Sequence, residues 1–153
     1  MVTNSRKVLI LSVGPIDEHH AALGEILQSS DWPTGTDTAG RLFVCADLDE
    51  CLSTVRRTRI PIVLCDNDGN WRRLLEEFRG LPEPPYLIVT SRLADDRLWS
   101  EALNLGAYDV LAKPFDRNEV VRVLTMAWMR WSARSTGPFR PARHRELTQL
   151  AYA

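Results

Sequence analysis

Short apolar runs and helical stripes alternate along this chain, and the alternation repeats five times. Residues 8–13 (VLILSV), 41–46 (RLFVCA), 60–65 (IPIVLC), 86–90 (YLIVT) and 108–112 (YDVLA) each read as a strand. Several are apolar nearly throughout, the pattern of parallel strands covered on both faces. Between them lie five helical patterns. Residues 16–28 carry Leu23, Ile26 and Leu27 on one stripe and stop at Ser29-Ser30-Asp31. Residues 49–57 carry Leu52 and Val55. Residues 71–79 carry Leu74, Leu75 and Phe78, with Asn70 as N-cap and Gly80 as stop. Residues 95–105 carry Leu98, Ala102 and Leu105 and end at Gly106. Residues 116–134 open with Asp116-Arg-Asn-Glu119, a capping box with Asp in the Ser/Thr place. Such alternation predicts an α/β fold, a doubly wound five-stranded parallel sheet with right-handed crossovers and helices on both faces. Ligand chemistry then belongs at the carboxyl ends of the strands, where the strand order reverses.

Two stretches fall outside this pattern. Residues 32–40 (WPTGTDTAG) are polar and turn-rich, a surface loop, and 135–141 (STGPFRP) break helical structure. The domain is therefore expected over 1–134, with 135–153 a flexible tail or linker. At 153 residues there is room for one domain with a real core, and the 44% hydrophobic and 25% charged content is ordinary for a globular protein. A net charge of −1 argues against the whole chain binding nucleic acid, which needs an excess of Lys and Arg. Arg140, Arg143 and Arg145 near the end read as a solvated tail. The apolar run at 8–11 is too short for a signal peptide or a membrane span, so a soluble cytoplasmic protein is expected.

Some residues invite chemistry without requiring it. Cys45, Cys51 and Cys65 have no metal-ligand spacing and read as reduced structural thiols. His19 and His20 are adjacent on a helix, do not face one another, and read as solvent-facing. Val120, Leu124, Ala127 and Trp131 form a core stripe flanked by Val121 and Trp128. The two tryptophans near the helix end offer more apolar surface than one edge needs, which would suit a partner or dimer surface.

The strand ends carry the stronger signal. The third ends in Asp66, followed by Asn67-Asp68-Gly69; the fourth ends in Thr90-Ser91; the fifth ends in Ala112-Lys113-Pro114-Phe115. An acid, a hydroxyl and an ammonium thus converge on one edge. Across about residues 5–134 this arrangement resembles the receiver domain of two-component response regulators, most specifically through the run ALNLGAYDVLAKPF at 102–115. The resemblance implies a flavodoxin-like (βα)5 receiver fold with strand order 2-1-3-4-5, and a signalling module rather than an enzyme. It implies Asp66 as phosphoacceptor, Thr90 as the switching hydroxyl, Lys113 as the phosphate-pairing lysine, and a cis Lys113–Pro114 peptide. Its partners would be a sensor histidine kinase or phosphotransfer protein, with a homodimer formed through the fourth helix, fifth strand and fifth helix.

The chain departs from that family in two places. Two acids normally end the first strand and hold Mg²⁺; here Ser12 and Val13 stand there, and Val13 offers no oxygen. Asp17 and Glu18 come a turn later and read as complements to a helix N-terminus. The Mg²⁺ site, reduced to Asp66 and the Asp68 backbone carbonyl, is expected to be weak or absent, with a direct Asp66–Lys113 ion pair in its stead. The usual aromatic switch three residues before the lysine is Val110, with Tyr108 two residues earlier. Two functions follow from these residues: a phosphoryl-accepting receiver, or a pseudo-receiver that binds partners without phosphoryl chemistry. A flavin- or nucleotide-binding protein on the same sheet would need a Gly-rich or Ser/Thr-rich phosphate loop, which Ser12-Val-Gly-Pro-Ile16 does not supply.

Overall fold

A computed structural model describes residues 8–14, 18–29 and 40–134. Strand and helix alternate: β1 (Val8–Val13), α1 (Glu18–Ser29), β2 (Gly40–Cys45), α2 (Leu48–Arg57), β3 (Ile62–Asp66), α3 (Trp71–Phe78), β4 (Tyr86–Ser91), α4 (Asp96–Leu105), β5 (Asp109–Ala112) and α5 (Arg117–Arg134). The strands form one parallel sheet in the order β2-β1-β3-β4-β5. The order reverses between β1 and β3, so the crevice at their carboxyl ends is where this architecture places a ligand.

The period-2 alternation of the strands divides the core in two. Ile10, Ile62, Leu64, Ile88 and Leu111 point to one face and pack beneath Leu23 and Leu27 of α1 and Val120, Leu124 and Ala127 of α5. Leu11, Val13, Val63, Cys65, Val89 and Val110 point to the other, beneath α2, α3 and α4. Each of the Val, Leu and Ile side chains stabilises the fold by roughly 1.5–3 kcal/mol relative to leaving it in water. Among the described residues no helix is long and apolar enough to cross a membrane.

Several helix ends follow the sequence signals. The Asp95 carboxylate accepts from the Leu98 N–H at 2.9 Å, and Gly106 ends α4 at φ +109°, where a side chain would be strained. Asp116 accepts from the Glu119 N–H at 3.0 Å, one half of the expected box on α5. The α3 ends differ. Asn70, with φ −92° and ψ 58°, is outside the extended conformation typical of an N-cap and makes no side-chain cap bond. Gly80 lies past a turn closed by Arg79 in a right-handed conformation, so α3 stops without a left-handed glycine. Strand β3 begins at Ile62 rather than residue 60 because Pro61 has no N–H for the ladder; its carbonyl accepts from the Tyr86 N–H at 2.8 Å.

The α5 tryptophans need a correction. Trp131 is buried at 4% exposure, stacked on the partly buried Trp128 at 6.1 Å between centroids and covered by the Arg59 guanidinium. The exposed apolar residues of this helix are instead Met126 and Met129. The three cysteines are buried free thiols, and burial raises the pKa of each, that of Cys65 to about 12. Residues 1–7, 15–17, 30–39 and 135–153 lie outside the described residues, and with them Asp17, most of the expected loop and the basic tail.

Candidate functional site

Strand parity assembles the site. Asp66 is in register with Thr90 on β4, and both continue the series Ile62, Leu64 and Ile88 that faces α1 and α5. Lys113, two residues beyond Leu111, has the same parity on β5. Ser12 has it on β1, two residues beyond Ile10. One sheet face at one edge therefore carries a hydroxyl, a carboxylate, a second hydroxyl and an ammonium.

The structure brings Asp66, Thr90 and Lys113 together. The Lys113 ammonium donates to Asp66 Oδ2 in a direct ion pair, and Thr90 Oγ1 donates to the same oxygen at 3.4 Å. Asp66 Oδ1 accepts the Asp68 N–H at 3.0 Å. Burial pushes the Asp66 carboxyl up, but the Lys113 hydrogen bond, the Asp68 N–H, the lysine charge and Thr90 outweigh it, so its pKa lies below the ordinary value. The expected direct ion pair is present, and the Lys113–Pro114 peptide is cis.

The flanking loops are pinned to the sheet. The Asn67 N–H donates to the Thr90 carbonyl at 2.7 Å, and the Lys113 N–H to the Ser91 carbonyl at 2.9 Å. The Gly69 N–H closes a turn onto the Asp66 carbonyl at 2.8 Å. A Cβ at Gly69 would stand 3.0 Å from Cys65 Sγ and 3.1 Å from that carbonyl. Trp71, wholly buried, donates its indole N–H to Asn67 Oδ1 at 3.1 Å.

These groups line an open cleft of about 880 Å³ whose walls also include His19, His20, Arg73, Arg92 and Asp68. Both histidines therefore depart from the solvent-facing expectation. His20 Nε2 lies 2.5 Å from Ser12 Oγ, a hydrogen bond whose donor follows the imidazole tautomer. The His19 side chain is 12% exposed, accepts from Arg92 Nη2 at 3.2 Å and sits edge-on to Phe115 at 6.3 Å. The sequence held the signal: His20, Leu23 and Leu27 stand at i, i+3 and i+7, so His20 continues the buried stripe of α1 toward the strand ends. Glu18 opens α1 as an acid in its first turn, and it lies 3.9 Å from Arg92.

The residues present do not fit the Mg²⁺ that the receiver resemblance implies. Octahedral Mg²⁺ wants several hard oxygens. Val13 supplies none and points to the opposite core, Ser12 is engaged by His20, and Asp66 is already held by Lys113, Thr90 and Asp68. Among the described residues no three His, Cys, Asp or Glu side chains are grouped so as to hold a metal. Val110 is buried on the α4 side, while Tyr108 is half-buried against the Tyr86 ring at 4.9 Å.

No family model matches this sequence, and no curated protein does. Solved structures do. A response regulator in red light signalling of R. palustris superposes with a TM-score of 0.63 at 18% identity, over 87% of this chain and 99% of its own. One from Thermotoga maritima gives 0.63 at 19% identity, over 79% and 97%. A chemotaxis response regulator of Vibrio cholerae gives 0.63 at 15% identity, over 79% and 98%. The fold and the strand-edge constellation define a doubly wound α/β module. This chain has the receiver fold of two-component response regulators.

Proposed function

We propose that this chain is a receiver module in two-component signalling, cytoplasmic, that accepts a phosphoryl group on Asp66 from a histidine kinase or phosphotransfer protein. The observation that carries this reading is the meeting of Asp66, Thr90 and Lys113 at one carboxylate oxygen. Asp66 Oδ1, which accepts the Asp68 N–H, is the attacking oxygen in this reading. The phosphoryl group that results carries negative charge; Lys113 pairs with it and Thr90 donates to it, each worth several kcal/mol at close range at most. These two residues sit at the ends of β4 and β5, so their shift onto the new phosphoryl oxygens biases the α4-β5-α5 surface between two conformations. Trp99 and Leu103 on α4, and Met126 and Met129 on α5, are exposed and apolar, which suits a homodimer or partner contact there. Incubation with phosphoramidate, read by intact mass, should add one phosphoryl group to the wild type and none to Asp66→Asn; an unchanged wild-type mass contradicts the assignment.

A second reading has its own observation. The end of β1, with Val13 turned away and Ser12 bonded to His20, lacks the metal-binding oxygens on which receiver chemistry ordinarily depends. A pseudo-receiver would use the same fold and surface for partner binding without phosphoryl transfer. The phosphoramidate experiment separates the two.

A further inference from the structure

At the point where the receiver resemblance calls for a metal, the chain has a hydrogen-bonded couple. Ser12, at the end of β1, and His20, in the first turns of α1, are joined at 2.5 Å and line the same cleft as Asp66 and Lys113. Ser12 shares the sheet face of Asp66 on the neighbouring strand, one pleat back along the register. It is 6% exposed, so its hydroxyl is neither a free surface group nor shielded from the cleft. Leu23 and Leu27, on the same stripe of α1 as His20, are buried in the core, and Gly14, at φ +145°, adjoins the ring: a Cβ there would stand 3.8 Å from His20 Cε1. A buried hydroxyl held this way has its proton direction set by its partner.

We infer that the Ser12–His20 couple stands in for the divalent cation, supplying hydrogen-bond donation to the phosphoryl oxygens, so that transfer onto Asp66 proceeds without Mg²⁺. This rests on the phosphoacceptor reading above. The imidazole Nε2–H donates to Ser12 Oγ, which turns the Ser12 O–H toward the cleft and onto a phosphoryl oxygen. Lys113 supplies the fixed positive charge, and Ser12 a second, oriented donor on the opposite side of the phosphoryl group. With phosphoramidate as donor the step balances simply. The P–N bond breaks and ammonia leaves with the protons its zwitterionic form already carries; the P–O bond to Asp66 forms. No co-reactant is consumed. Two missing carboxylates also mean that less negative charge surrounds Asp66, so less cation is needed to bring an anionic donor to it.

The test uses the full chain, with phosphoramidate in the presence of excess EDTA or of Mg²⁺, and intact mass followed in time. The wild type should be modified at the same rate in both. His20→Leu and Ser12→Ala should each slow modification by about 10- to 100-fold, the range of one or two lost hydrogen bonds to a charged group. His20→Gln, which keeps an N–H donor at similar reach, should recover most of the rate. Ser12→Asp, which puts a carboxylate on the sheet face of Asp66, should become dependent on Mg²⁺. Far-ultraviolet circular dichroism identifies variants that fail to fold, and Ser12→Ala carries the test if His20→Leu is one of them. Modification that stops in EDTA overturns the inference while leaving Asp66 as phosphoacceptor, as does an unaltered rate in folded Ser12→Ala. Absence of modification under both conditions overturns the phosphoacceptor reading as well.

Discussion

Asp66 shows how several weak terms set the state of one carboxyl group. Burial alone would raise its pKa, yet Lys113, the Asp68 N–H and Thr90 together bring it below the ordinary carboxylate range. A lowered folded value means stability that is fully present above the unfolded pKa and lost as pH falls through the folded one. Asp109 has the opposite sign: burial raises it, so its ionisation costs stability above its folded pKa, and that cost disappears in acid. Urea unfolding of the wild type and Asp66→Asn between neutral and acid pH should therefore show a stability difference that shrinks as pH falls. A constant difference would mean that Asp66 is unpaired. Gly69 is the other residue with a strict demand. Alanine there must push Cys65 or the Asp66 carbonyl aside, and should cost about 1–3 kcal/mol in unfolding experiments. No loss of stability in Gly69→Ala would place the Asp66 turn further from Cys65 than described.

At the scale of elements, the strands were legible because each is a short apolar run, and the helices because each carries a stripe. Boundaries failed where local chemistry intervened, as with Pro61 at the start of β3. The stripe of Leu124, Ala127 and Trp131 placed Trp131 in the core, where it lies, but the surplus apolar surface expected at the two tryptophans is found at Met126 and Met129 instead. The helix should answer accordingly. Trp131→Ala leaves a cavity and should destabilise by about 3–5 kcal/mol, whereas Met129→Ala, 63% exposed, should stay within about 0.5 kcal/mol of wild type. Equal effects of the two would reverse the orientation of α5. The role of His20 went unread because two adjacent histidines look like a surface pair. Only their place relative to Leu23, and α1's relation to β1 across the switch point, turns one of them toward Ser12.

At the scale of the whole molecule, the order β2-β1-β3-β4-β5 gathers residues far apart in sequence: 47 positions separate Asp66 from Lys113, and 24 separate it from Thr90. The sequence could indicate that a carboxylate, a hydroxyl and an ammonium stood at strand ends, because each follows its apolar run directly. It could not show how they bond, since that depends on register and on loops pinned across strands. Removing one partner of a half-buried ion pair leaves the other uncompensated, at a cost between the about 0–1 kcal/mol of surface pairs and the about 3–5 kcal/mol of buried ones. The pairing itself is open to direct observation by carbon NMR of the Asp66 side-chain carboxyl through an acid titration, in wild type and in Lys113→Met. The wild-type group should titrate below the usual aspartate range and move upward once the lysine is replaced. An ordinary midpoint, unchanged by that replacement, would contradict the convergence of β3 and β5 on one pocket.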